Sequence, residues 1–109
     1  MEQMLIVLTN LPDHASAERL AAALIADRAA ACVNILAECR SVYRWNGAVE
    51  QANEVPLLIK TTPAAYPRVE QTIRELHPYE LPEIVAVPVV AGLPAYLAWV
   101  AQETNLTTP

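Results

Sequence analysis

The sequence predicts an α+β domain with the element order β-α-β-β-α-β and one further helix at the C-terminus. Three observations carry this. Apolar residues recur at helical spacing in three separate stretches. Runs rich in β-branched and aromatic residues alternate with those stretches. Asn46-Gly47 lies between two of the runs, where both residues can take the positive φ that a two-residue type I′ turn requires.

The elements follow in order. Residues 3–9, QMLIVLT, form a short buried strand, and Asp13 caps the helix that follows. Leu20, Ala21, Leu24 and Ile25 mark one face of that helix over residues 14–29. ACVNIL and SVYRW then read as strand, with a bend or bulge expected at the intervening AECR. After the Asn46-Gly47 turn, VEQANEVPLLIKTT returns as the second arm of a long hairpin. With a two-residue loop, Trp45 faces Ala48 and Tyr43 faces Glu50. Pro56 has no N–H to give, so it marks an edge or a place where pairing is interrupted.

Thr62-Pro63 reads as a cap followed by proline in the first helical position, with Tyr66, Val69, Ile73 and Leu76 on one helical face. Pro78 ends this helix near His77. Residues 82–91 form the last strand, and Gly92-Leu93-Pro94 opens a helix carrying Tyr96, Leu97, Trp99 and Val100. This order is the split βαβ, or ferredoxin-like, arrangement. One domain over residues 1–109 accounts for the whole chain.

The lengths do not match. As strand, residues 30–45 span about 53 Å; as helix, residues 14–29 span about 24 Å. The hairpin must therefore project past its helical cover, carrying Tyr43 and Trp45, with Val42 and Val49 on its other face. A lone two-stranded arm is marginal in water, and exposed apolar area of this kind marks an interface. The expected outcome is a homo-oligomer in which the arm of one subunit packs on another.

Composition narrows the partners. Hydrophobic residues make up 54% of the chain, net charge is −5, and no Lys/Arg cluster exists. Nucleic acid and anionic membrane are thereby disfavoured. The N-terminal MEQMLIVLTN has no basic n-region, which favours a mature strand in a cytoplasmic protein. Cys32 and Cys39 match no zinc or redox spacing and are expected as reduced thiols.

Polar residues are densest in HPYELPEI, residues 77–84. Imidazole and carboxylate together can bind divalent metals, which singles out His77, Glu80 and Glu83, although a capping role for His77 fits the same spacing. Lys60 at the end of VPLLIK snorkels to solvent unless Glu50, Glu54 or Glu83 approaches it. The sequence contains no nucleophile-base-acid arrangement and no glycine-rich phosphate loop, so the residues make no case for an enzyme.

ACVNI at 31–35, YRWNGAVE at 43–50, LIKT at 58–61, HPYELPEI at 77–84 and YLAW at 96–99 resemble CutA, the divalent-cation tolerance family, in the right order over nearly the whole chain. The resemblance implies a ferredoxin-like homotrimer, similar to the PII signalling proteins, with a role in tolerance of copper and other divalent cations and with no obligatory cofactor or enzymatic activity. It implies that Tyr43, Trp45, Glu50, Lys60, His77, Tyr79 and Glu83 line clefts between subunits. This chain departs from the pattern in having Ala48 where many members have lysine. Thr9 and Leu76 likewise stand where some have cysteine and a second histidine. Of that metal-binding trio only His77 remains. The alternatives are a PII-like module for a small anionic metabolite and a trimeric scaffold without a small ligand.

Overall fold

The computed structural model describes residues 3–107. Five strands and three helices follow one another as β1 (Met4–Leu11), α1 (His14–Ala26), β2 (Cys32–Ile35), β3 (Cys39–Trp45), β4 (Ala48–Thr61), α2 (Tyr66–Leu76), β5 (Val85–Val89) and α3 (Pro94–Glu103). Along the sheet the order is β2-β4-β1-β5, with β3 also paired to β4, and every pairing is antiparallel. This is the expected ferredoxin-like order, with the anticipated second strand divided into β2 and β3.

The division has a local cause. Ile35 pairs with Leu57 and Cys39 with Glu54. Four steps on one strand thus meet three on the other, the signature of a β-bulge. The bulge occupies residues 36–38, within and just before the predicted AECR bend. Pro56 stands opposite it. Its carbonyl accepts the Leu36 N–H at 3.0 Å, and its ring nitrogen has no hydrogen to return. Pairing is interrupted at that proline, as its chemistry requires.

Because the register shifts by one residue, the faces exchange. Val33 and Ile35 share a face with Leu57 and Ile59, whereas Ser41, Tyr43 and Trp45 lie over Ala52, Glu50 and Ala48 on the opposite side. The turn at the tip is as expected: Asn46 has φ 50° and Gly47 φ 80°.

Alternation along the strands makes two cores. On one face Val7, Leu11, Val55, Leu57 and Ile59 pack against Leu20 and Leu24 of α1 and Val69 and Ile73 of α2. On the other, Met4 packs with Leu97 and Val100 of α3, flanked by Ile6 and Val89. The helices cover only part of this sheet, and the arm beyond Glu54 stands largely exposed, in line with the length mismatch. The molecule is accordingly elongated, 46 × 26 × 22 Å.

Several boundaries differ from expectation. The Asp13 cap is present, its carboxylate accepting the Ser16 N–H at 2.7 Å. The helix ends at Ala26, three residues early, in a Schellman motif. The Ala29 N–H returns to Leu24 and the Arg28 N–H to Ile25, with Arg28 at φ 55°. A non-glycine residue in this conformation is uncommon, so periodicity did not announce the stop. Ile25 and Leu76, expected on buried faces, are exposed because each sits in the last turn of its helix, past the edge of the core.

Thr62 does cap a turn, its Oγ1 accepting the Ala65 N–H at 3.2 Å. Regular α2, however, starts later, at Tyr66, with Pro67 where a missing N–H is harmless. The two cysteines are free thiols. They pair with Lys60 and Glu54 of β4, roughly 20 Å apart along that strand.

Candidate functional site: a cleft between the arm and the 77–84 loop

The loop leaving α2 folds back against the end of β1 and the base of the arm. It encloses a cleft of about 750 Å³, lined by Ser41, Val42, Tyr43, Trp45 and Glu54 of the hairpin, Asn10 of β1, and Pro78, Tyr79, Glu80, Leu81 and Glu83 of the loop. Alternation puts the aromatic side chains of β3 here: Tyr43 and Trp45 share the face that carries Glu54.

Four hydrogen bonds shape and seat the loop. The His77 ring reaches the Asn10 carbonyl through Nε2 at 2.6 Å and accepts the Tyr79 N–H at Nδ1, 3.1 Å away. The Tyr79 hydroxyl donates to Glu54 at 3.0 Å. Asn10 Nδ2 donates to Glu83 at 3.1 Å. The His77 and Tyr79 rings also touch, tilted by 53° with centroids 4.7 Å apart. Burial, then the hydrogen bond to Glu54 and the charge of that carboxylate, push the Tyr79 phenol up to about 12.

The sequence-predicted residues divide into two groups. Tyr43, Trp45, Tyr79, Glu80 and Glu83 line the cleft. His77, Glu50 and Lys60 lie outside the walls that one chain forms. His77 is buried behind them, 7% exposed. Glu50 faces Tyr43 across the ladder, further along the arm. Lys60 donates to Asn34, six residues along β4 from Glu54 and roughly 20 Å distant, so none of the three carboxylates considered for it is its partner.

Among the described residues, no group of three or more His, Cys, Asp or Glu side chains is placed to hold one metal ion. His77, Glu80 and Glu83 are therefore not gathered into a complete site within one chain. Sequence reasoning missed Asn10, and it weighed Glu54 only as a partner for Lys60. Glu54 is 8% exposed and a carboxylate so buried needs a donor, but its neighbours in sequence do not reveal that burial.

Residues 5–103 match the family model for the CutA1 divalent ion tolerance protein. The divalent-cation tolerance protein CutA of Thermus thermophilus is 43% identical over 100 residues, covering 92% of this chain and 97% of that one. Mouse Protein CutA is 41% identical, covering 86% of this chain, which spans 53% of the mouse protein's length. A solved structure described as the PII-like protein CutA from Nostoc sp. PCC 7120 in apo form superposes with a TM-score of 0.87 at 42% identity, over 94% of this chain and 98% of that one. The chain belongs to the CutA1 divalent ion tolerance protein family.

Proposed function

We propose that the protein is a homotrimeric cation-response protein that holds divalent cations weakly in this cleft, at the boundary between subunits, and catalyses no reaction. One observation carries the reading: three carboxylates, Glu54, Glu80 and Glu83, line the cleft, and among the described residues no lysine, arginine or histidine does. An oxygen-only donor set suits hard ions such as Mn²⁺ and gives copper less than an imidazole would. With no complete cluster in one chain, affinity is low unless a second copy supplies the missing donors.

Trimer formation draws support from exposed apolar area that a monomer would leave in water. Val42 and Val49 on the arm are 63% and 62% exposed, and Val85 and Val87 on the edge strand are also open. The two free thiols favour a reducing, cytoplasmic setting. Among the described residues no helix is long and apolar enough to cross a membrane.

Calorimetric titration with Mn²⁺, Zn²⁺ and Cu²⁺ tests the site. Binding that weakens in Glu80→Gln and Glu83→Gln is the expected result, and binding indifferent to both removes the cleft from consideration. Sedimentation tests the assembly: a folded, stable monomer at micromolar concentration defeats it.

A second reading, a PII-like module for a small anionic metabolite, is favoured by the description of the Nostoc relative. It would need a cation in the cleft. Lys60, the residue expected to supply one, is turned to Asn34.

A further inference from the structure

We infer that His77 is a positioning residue of this cleft and not one of its ligands. The inference concerns the binding site proposed above. Its geometric part stands on the ring's own contacts.

Those contacts leave one tautomer. The Tyr79 backbone N–H can only donate, so Nδ1, 3.1 Å from it, presents its lone pair there. The Asn10 carbonyl can only accept, so Nε2, 2.6 Å from it, carries the proton. A metal needs a free imidazole lone pair. Here Nδ1 is committed to an amide and Nε2 to a proton, both against backbone, in a buried ring. Ligation by either nitrogen would strip a backbone group of its partner.

The same bonds give His77 a different task. Asn10 is a hub: its carbonyl holds His77 at the start of the loop, and its side-chain amide holds Glu83 near the end. Between them the Tyr79 hydroxyl is fixed on Glu54. Through its two backbone bonds, His77 thus sets where Tyr79, Glu80 and Glu83 stand relative to Glu54 and Tyr43. Outer groups of this kind govern metal affinity without touching the ion.

Two measurements test this. The chain has only two histidines, His14 and His77, so long-range ¹H–¹⁵N correlation resolves both rings. The metal-free protein should show His77 as the Nε2–H tautomer, unchanged when Zn²⁺ is added. An Nδ1–H tautomer, or a shift of a His77 nitrogen to a metal-bound value, overturns the inference.

The second measurement is Zn²⁺ titration of His77→Gln and His77→Ala. The glutamine amide can still donate to the Asn10 carbonyl. We expect His77→Gln to bind within about threefold of wild type and His77→Ala to lose about tenfold. Equal loss in both, with His14→Gln unaffected, overturns positioning in favour of ligation. Should wild type bind no Zn²⁺, the proposed cation site fails and the tautomer alone decides the role of His77. Should His77→Ala not fold, the glutamine variant and the tautomer decide it.

Discussion

The Tyr79 hydroxyl sits 3.0 Å from the Glu54 carboxylate and closes the 77–84 loop onto the base of the arm. These residues are 25 positions apart in sequence and meet only because β4 runs past the end of β1. The bond makes stability depend on pH in the alkaline range. Burial, followed by the Glu54 contact, raises the Tyr79 phenol from 10.0 to about 12. A group whose pKa is higher in the folded state contributes fully below its unfolded value, and that contribution is lost as pH climbs through the folded one. The stability advantage of wild type over Tyr79→Phe should therefore hold to about pH 10 and vanish by about pH 12. Thermal unfolding of both proteins from pH 8 to 12 checks this. Tyr66 and Tyr96 are raised too, mainly by burial, and both remain in the variant, so the difference isolates Tyr79. Parallel curves across the range would refute the assignment.

Thr9 is 1% exposed in β1, and its hydroxyl has no partner among the described residues. Burying an unpaired hydroxyl is unfavourable, and valine has nearly the same shape. Thr9→Val should raise unfolding free energy by about 1 kcal/mol in urea titration. A loss of stability would mean that the hydroxyl is satisfied in solution.

Arg28 does two things at once. Its backbone takes the left-handed conformation that ends α1, and its guanidinium holds the last carbonyls of α3, with Nε 3.0 Å from Glu103 and Nη2 3.2 Å from Gln102. Arg28→Ala and Arg28→Gly both remove the guanidinium, and only alanine keeps a Cβ at positive φ. The glycine variant should be the more stable of the two by about 1 kcal/mol. Chemical denaturation of the pair, compared with each other and not only with wild type, gives the answer.

Gly47 at the arm's tip has φ 80°, with open space where a Cβ would go. Gly47→Ala therefore meets no clash and suffers only backbone strain, about 1 kcal/mol. If the arm is an interface, that strain should appear as faster subunit exchange, measured by mixing labelled and unlabelled protein. An unchanged exchange rate would show that the tip takes no part in holding the assembly.

Much of this fold was legible because it is written in local chemistry. Asn46-Gly47 fixed the hairpin register, so the Tyr43–Glu50 and Trp45–Ala48 pairs could be named beforehand. Asp13 announced its helix, and Pro56 announced the interruption opposite the bulge. The end of α1 was hidden because Arg28 fills a position that glycine usually marks. The site was harder to read. Tyr79 with Glu54 and Asn10 with Glu83 are tertiary pairs with no spacing rule to reveal them. Lys60 shares a strand face with Glu54 but stands too far along it, and its partner Asn34 comes from the neighbouring β2. His77 looked like a ligand because residue type shows that an imidazole is present, not that both its nitrogens are spoken for by backbone.

The single extra residue at positions 36–38 uncouples the arm from the sheet that carries it. If one residue there, for example Ala37, were removed, Cys39 would still meet Glu54 and Tyr43 would still meet Glu50, because the Asn46-Gly47 turn sets the pairing of the arm. A shortened chain would lose the bend and the added twist that a bulge gives its strand. The aromatic wall would keep its face and be re-aimed, so the opening toward the 77–84 loop would change while its lining would not.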